Sequence, residues 1–252
     1  MIRKFVILSF LILFKINNPL VAQSITVKPY YGYFIPTLKS VNDQIKLQID
    51  EYSNIFGETI PSPGKFNGNQ AYGIQIEYAL DKTYVLNISA SYYQEEVNTE
   101  YFTTLIPPPD YFYFDRKVEL YNIILSLHYY FDYIFPQVIN FYAGLGAGIG
   151  ITEALSTTKI ILNNPDGTSY VRTDAHGKYS GSTLSACFKV GADYRFNNFV
   201  LVWGELGLIV TNFGQLEGEI TDIDFPEPVN HTTDSSFNFT GFFIRSGLGF
   251  SL

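Results

Sequence analysis

Apolar and polar residues alternate along several segments of the chain. In the segment 119–131, Tyr121 and Ile123 lie on one face and Asn122 lies on the other. A period of two is typical of a β-strand that has one apolar face. The same pattern predicts eight strands, at residues 25–36, 70–80, 83–96, 119–131, 140–151, 182–196, 199–213 and 237–252.

The connections between these strands alternate in length. The short ones are 81–82, 132–139 and 197–198, and the long ones are 37–69, 97–118, 152–181 and 214–236. Short turns at one end and long extracellular loops at the other are typical of membrane-spanning barrels. Each predicted strand is near or above the ~9–11 residues that a tilted strand needs to cross the hydrocarbon. The pattern predicts an all-β fold, an eight-stranded antiparallel up-and-down transmembrane β-barrel.

Composition agrees with a barrel that faces lipid. Hydrophobic residues make up 46% of the chain and aromatic residues 17%, while charged residues make up 16%, below the roughly 25% usual in soluble domains. The predicted outward face of 70–252 carries almost no charge. Aromatic residues cluster near both ends of the predicted strands, where two girdles are expected to meet the lipid headgroups.

The N-terminal segment 1–22 predicts a secretory signal peptide. Arg3 and Lys4 precede an apolar run at 5–14, and the small residue Ala22 ends the segment. This is the order of a signal peptide's charged, apolar and cleavage regions. The alternative is an N-terminal anchor helix, although the apolar run is too short to span a bilayer. Residues 23–252 then form the barrel domain.

Some local features resemble a known family. They are the Ala22-Gln23 junction, the alternating ends 129–131 and 193–196, and the last strand 244–252. The chain resembles the small outer-membrane β-barrel proteins of Gram-negative bacteria, the OmpA-like and OmpX-like barrels, and the porin-family barrel proteins common in Bacteroidetes. The resemblance implies an outer-membrane location with periplasmic termini. It also implies recognition of the last strand by the barrel assembly machinery, although the usual final Phe is here Leu252.

Several charged residues fall on the predicted inward face. An eight-stranded barrel is just wide enough for its side chains to fill, and an unpaired buried charge is costly. A salt-bridged plug is therefore predicted, and a gated polar pore is the alternative. The predicted lumen charge network is Glu77, Lys189, Asp193, Arg195, Glu205 and Arg245, with Glu95 as a further inward charge.

No catalytic, cofactor-binding or metal site is predicted. The glycines of 144–150 are spaced by two, unlike a phosphate-binding loop, and would make room inside the lumen. His128 projects inward without a partner at metal-ligand spacing, and Cys187 is the single cysteine. The net charge of −8 and the scattered basic residues exclude nucleic acid. The acidic loop 214–236 is interpreted as a solvated surface, with a Ca²⁺ site as the alternative.

Two long loops carry further signals. Asp166-Gly167 in 152–181 predicts a β-hairpin, so that strands five and six continue as a ribbon above the membrane. The prolines 107–109 and the aromatic run 111–114 predict either an exposed contact surface or rings packed on a neighbouring loop.

The function expected from these features is that of a monomeric barrel in outer-membrane lipid. Its lumen is filled, its role is structural or that of loop-mediated surface binding and adhesion, and an extracellular ligand binds through the long loops. The alternatives are a narrow porin-like channel for small solutes and a barrel enzyme. Neither is favoured, because a filled lumen leaves little space for solutes and the rim shows no recognisable catalytic arrangement.

Overall fold

The computed structural model describes residues 25–104, 108–131, 139–164 and 166–252. The predicted signal peptide and most of the predicted turn 132–139 lie outside the described residues. The described residues form one helix and eleven strands. They are β1 Ile25–Pro36, α1 Lys39–Phe56, β2 Asn69–Ala79, β3 Tyr84–Phe102, β4 Tyr111–Phe131, β5 Ile139–Asn163, β6 Ser169–Arg195, β7 Val200–Gly214, β8 Glu217–Asp222, β9 Phe225–Thr232, β10 Phe237–Asn238 and β11 Gly241–Ser251.

Eight of these strands close into a ring. Strands β1 to β6 each pair antiparallel with the next strand, and β11 pairs with both β7 and β1. The predicted eight-stranded antiparallel up-and-down barrel is therefore confirmed. The last predicted strand, 237–252, is divided into β10 and β11, and β10 pairs only with the end of β7.

Large apolar side chains cover the outside of this ring. Leu184 is 82% exposed and Leu145 is 67% exposed, values that a soluble barrel would not tolerate over a continuous surface. We call this surface the apolar belt. It comprises Ile74, Ile76, Ile123, Leu125, Leu127, Leu145, Ile149, Leu184, Phe188, Leu206, Ile244 and Leu248.

Aromatic rows border the apolar belt. At the long-loop end, Tyr31, Tyr72, Tyr92 and Tyr121 lie opposite one another on four adjacent strands. The ring centroids of Tyr72 and Tyr92 are 5.1 Å apart. At the other end the corresponding row is made by Tyr84, Tyr129 and Phe131. The two rows match the girdles that the sequence predicts.

Two of the predicted long loops are continuous extensions of strands. β3 and β4 stay paired from Tyr84 to Phe102, and β5 and β6 stay paired up to Asn163. The predicted β5–β6 ribbon is confirmed, and Gly167 in its turn has a φ of +84°, which glycine adopts without strain. The predicted loop 97–118 is instead mostly a β-hairpin.

The predicted acidic loop 214–236 also contains regular structure. β8 pairs with the extended part of β6, where Lys178 lies opposite Glu219, and β9 pairs with β8. A sheet made of β3, β4, β5, β6, β8 and β9 therefore continues beyond the aromatic row at the long-loop end. We call it the extended sheet.

The helix α1 is the largest departure from the predicted organisation, because 37–69 was expected to be a loop. Its buried residues Val41, Ile45 and Ile49 recur every four positions and so lie on one face. The helix ends at Gly57, which has a left-handed φ of +68°, as is common after a helix C-terminus. Within the described residues, no helix is both long and apolar enough to cross a membrane.

The buried face of α1 packs on an apolar core that lies on the inward face of the extended sheet. Phe112 and Phe114 are fully buried there, and the Phe112 ring lies 5.0 Å from Tyr52 and 6.1 Å from Phe56 of the helix. The aromatic run 111–114 is therefore not an exposed contact surface, because its two inward rings are fully buried. The core continues down to Leu120 and Phe243 at the top of the barrel.

Candidate functional site

The barrel lumen below this core holds most of the charges that the sequence places inside. Glu77, Lys189, Asp193, Glu205 and Arg245 are all buried there. They come from four different strands. Each occupies one of the alternate positions whose side chains point into the barrel, since successive side chains of a strand point to opposite faces.

The structure places two other predicted inward residues outside this group. Arg195 is exposed at the end of β6, one inward position beyond Asp193, where the strand leaves the barrel. Glu95 lies in β3 on the long-loop side of the aromatic row, and it accepts a hydrogen bond from the Asn67 backbone N–H at 2.9 Å. Lys28, whose side chain is fully buried, is the cation that meets Glu77 and Asp193.

Lys28 joins two carboxylates across the lumen. Its Nζ lies 2.7 Å from Glu77 Oε2 and donates to Asp193 Oδ1 at 3.0 Å. The Tyr130 hydroxyl donates to Asp193 Oδ2 at 2.8 Å. His128 Nδ1 lies 3.2 Å from Glu77 Oε1, in an orientation that does not complete a hydrogen bond. This cluster ties β1 directly to β2 and, across the barrel, to β6.

Arg245 and Glu205 form the centre of a second cluster. The Arg245 Nε donates to Glu205 Oε1, and its Nη1 donates to the Tyr30 hydroxyl at 3.0 Å. Gln75 Nε2 donates to Glu205 Oε1 at 2.9 Å, and the Tyr142 hydroxyl donates to Glu205 Oε2 at 2.8 Å. Each oxygen of this buried carboxylate is therefore satisfied.

A chain of amides connects this second cluster to Lys189. Lys189 Nζ donates to Asn87 Oδ1 at 3.0 Å, and Asn87 Nδ2 donates to Gln75 Oε1 at 2.7 Å. The buried lumen charges are then three cations, Lys28, Lys189 and Arg245, against the three anions Glu77, Asp193 and Glu205. We call these six residues, with their polar partners, the lumen network. Its formal charges balance, as a closed interior requires.

Glycines on β5 make room for the bulky members of the lumen. A Cβ on Gly144 would lie 2.7 Å from His128 Cδ2, and one on Gly150 would lie 2.7 Å from Thr211 Cγ2. The space beside Gly144 is used by His128, whose ring stacks on Tyr142 at a centroid distance of 4.8 Å. The glycine repeat thus serves packing.

A second site lies at the long-loop end of the molecule, between α1 and the inward face of the extended sheet. It is a cleft of about 390 Å³, which we call the α1 cleft. Its polar lining includes Gln48 and Tyr52 from α1, Arg116, Thr158 and Tyr179 from the sheet, and His231 from β9.

Arg116 is a partly buried cation of the α1 cleft, which Lys117 also lines. Its Nη1 donates to the backbone oxygens of Asp115 at 2.9 Å and Thr157 at 3.1 Å. Its Nη2 donates to Gln48 Oε1 at 3.1 Å. The Phe114 ring covers one face of the guanidinium at 4.0 Å. Burial lowers the pKa of Arg116 to about 10, so the group remains a cation at neutral pH.

The sequence carried a signal for Arg116 that was missed. In β4 the alternate positions from Phe112 to Val118 point inward. Phe112, Phe114 and Val118 are apolar and buried, and Arg116 takes the remaining inward position. The prediction of 97–118 as a loop conceals this signal. Lys28 is fully buried on the inward face of β1 and is absent from the predicted network.

Potential metal ligands are not grouped in the part of the chain that the structure describes. In those ranges no three His, Cys, Asp or Glu side chains are arranged to hold a metal ion. The acidic residues of 214–236 are spread along β8, β9 and the segments beside them. Cys187 is buried and free.

Comparison with known proteins finds similarity at the level of solved structures. No protein-family model and no curated protein matches the sequence, so the expected relation to the Bacteroidetes barrel family stays a prediction. OprG from Pseudomonas aeruginosa matches with 9% identity and a TM-score of 0.48, covering 92% of this chain and 96% of that one.

Two further outer-membrane proteins match in a similar way. A major outer membrane protein from Thermus thermophilus has 8% identity and a TM-score of 0.47, covering 92% of this chain and all of the other. The protease OmpT from Escherichia coli has 8% identity and a TM-score of 0.41, covering 94% and 99%. Such distant matches carry no functional inference, and the barrel rests on its own strand pairing.

Proposed function

We propose that the protein is an integral outer-membrane barrel with a closed lumen that binds an extracellular ligand at its long-loop end. The apolar belt and its two aromatic rows support a membrane location, because exposed aliphatic side chains between aromatic girdles are stable in a bilayer. The ring strands, of which the shortest have 11 residues, are long enough to cross it. In this proposal β11 carries the assembly signal and the protein is a monomer in lipid.

The observation that carries the proposal is the closure of the lumen at two levels. The lower level is the lumen network, in which Lys28 and Lys189 are fully buried and Tyr142 is almost fully buried. The upper level is the apolar core, in which Phe239 is inaccessible to solvent and Leu120 almost so, and over which α1 packs. Two filled layers in series favour a closed barrel over the channel alternative.

A binding role is supported by the position and size of the α1 cleft. Its volume of about 390 Å³ lies within the range of about 300–1,000 Å³ typical of small-molecule sites. Its walls are a paired sheet and a packed helix, which hold the lining side chains in place. Binding at a rigid site outside the membrane, without catalysis, is the role that we assign to the protein.

Conductance tests the closed lumen. We expect the purified, folded protein to give no stepwise openings in a planar lipid bilayer, because ions would have to displace the paired charges and the apolar core. A general porin measured in the same bilayer serves as the positive control. Regular stepwise openings of this protein would show that the lumen conducts and would overturn the closed-barrel proposal.

Fractionation tests the membrane location. We expect the full-length chain, produced in a Gram-negative host, to be recovered in the outer membrane and to migrate differently on a gel before and after heating. The physical reason is that a closed antiparallel barrel resists unfolding by detergent until it is heated. Recovery of the whole protein in the soluble periplasmic fraction would contradict this location.

A further inference from the structure

We infer that the α1 cleft binds a small organic anion carrying one carboxylate, and that Arg116 is the residue that recognises this group. The inference rests on the proposed binding function and gives it a ligand class.

Within the described residues, the guanidinium of Arg116 forms no salt bridge. In the described part of the chain, every acceptor that contacts its guanidinium is a neutral oxygen: Thr158 Oγ1 at 3.4 Å, together with the two backbone oxygens and the Gln48 amide. Lys28 and Lys117 each lie within 3 Å of a carboxylate oxygen, whereas Lys189, like Arg116, donates to a neutral oxygen, that of Asn87. Since buried charges are normally paired, an anion in the cleft would supply a direct counter-charge to Arg116.

Hydroxyl groups line the cleft near Arg116. Tyr52 and Tyr179 both line the cleft with Thr158 and Ser156. Burial raises the pKa of Tyr52 and of Tyr179, so that both phenols stay protonated and remain hydrogen-bond donors at neutral pH. Hydroxyl donors beside a guanidinium suit the oxygens of a carboxylate, since charge-assisted hydrogen bonds are the stronger ones.

The rest of the lining indicates the body of the ligand. Val41, Ile45, Phe66 and Phe237 form an apolar part of the wall, which favours an organic group attached to the carboxylate. The volume of about 390 Å³ is also far larger than an inorganic anion needs. The ligand is therefore an organic molecule with an apolar portion.

Acidic residues on the opposite side limit its charge. Asp222 and Asp234 line the β8–β9 side of the cleft, and the chain as a whole has a net charge of −8. A polyanion would be repelled by these carboxylates, and a ligand with one carboxylate bonded to Arg116 would be repelled least. We therefore infer a single negative charge.

Titration calorimetry with matched probes tests the inference on the folded, detergent-solubilised protein. The probes are phenylacetate, its neutral analogue phenylacetamide, and inorganic sulfate. We expect phenylacetate to bind and the other two to bind about tenfold to a hundredfold more weakly, the range that corresponds to the loss of one charged hydrogen bond. Arg116→Gln is expected to weaken phenylacetate binding by a similar factor.

Two further variants make the result specific. Lys178→Gln removes the same charge from a side chain that is 70% exposed on the outer face of β6, and it is expected to leave binding unchanged. Arg116→Lys keeps the charge without the planar fork, and it is expected to bind phenylacetate with intermediate affinity. Heat-modifiable migration of every variant shows whether the barrel has folded.

The outcomes separate this inference from the proposed function. Failure of phenylacetate to bind, or equal binding by Arg116→Gln and the unchanged protein, would overturn the role of Arg116 in recognising a carboxylate. Equal affinity for phenylacetamide would overturn the anionic class while leaving a binding cleft, and equal affinity for sulfate would overturn the organic class. The closed barrel itself is decided by conductance, which none of these titrations affects.

Discussion

Glu205→Gln is expected to destabilise the folded barrel by about 3–5 kcal/mol, the cost of leaving a buried charge without its partner. Glutamine has nearly the shape of glutamate but no charge, so Arg245 would stay buried with no anion bonded to it. The acceptor for the Tyr142 hydroxyl or for Gln75 would also be weakened, since both donate to this carboxylate. Urea unfolding of the protein in lipid vesicles measures the loss.

Two comparisons show whether the loss comes from the buried charge. Glu153→Gln makes the same change in a pair whose nitrogen and oxygen are 4.0 Å apart at the surface, and it is expected to change stability little, because exposed pairs contribute little. The double variant Glu205→Gln with Arg245→Met removes both charges and is expected to recover much of the loss. A loss from Glu205→Gln no larger than that from Glu153→Gln would contradict the lumen network.

Phe112→Ala is expected to destabilise the extended sheet and α1 by about 3–5 kcal/mol, the usual cost of truncating a buried phenylalanine. The Phe112 ring has no exposed surface and lies against both Tyr52 and Phe56. The cavity would remove the main aromatic contact that holds the C-terminal half of α1. Faster proteolytic cleavage within Lys39–Phe56, together with thermal unfolding, measures the effect.

A neighbouring aromatic residue provides the control. Phe102 is 54% exposed on the same hairpin, and its replacement by alanine is expected to cost no more than about 0.5 kcal/mol, as is usual for surface substitutions. Because the barrel strands keep their pairing, Phe112→Ala should still show heat-modifiable migration. Equal protection of α1 from protease in both variants would contradict the role of Phe112 in holding the helix.

The path of the ring strands was readable from the sequence because alternation is a local property. Successive side chains of a strand point to opposite faces whatever the strand pairs with, so Ile123 and Asn122 reveal the two faces without a structure. The same alternation also placed Lys189, Asp193 and Glu205 inside. The Asp166-Gly167 turn was likewise predicted from two residues, because the turn needs a left-handed φ that glycine provides.

The pairing within the lumen was not readable, because it depends on distances across the closed barrel. Lys28 and Asp193 are separated by 165 positions in the sequence, and nothing local to either residue indicates that they meet. Arg195 shares the inward parity of Asp193, yet it lies where β6 leaves the barrel. The alternation of side chains alone cannot decide which of the inward-facing positions is still enclosed by the barrel wall.

The helix α1 shows a different limit. Its packed face consists of Val41, Ile45 and Ile49 with Tyr52 and Phe56, which recur at helical spacing, so a local signal for the helix is present within the segment 37–69 that is predicted as a loop. The surface that this face covers is the extended sheet, and that surface exists only once β3 to β6 are paired. The α1 cleft and the position of Arg116 follow from this packing.

The sequence by itself determined the eight ring strands, the apolar belt and the inward position of the lumen charges, because each depends on the local alternation of side chains. Only the tertiary structure decided which charges pair, that Lys28 rather than Arg195 joins them, and that α1 covers the long-loop end and leaves a cleft beside Arg116. These features depend on contacts between residues far apart in the chain, and such contacts are set when the barrel closes.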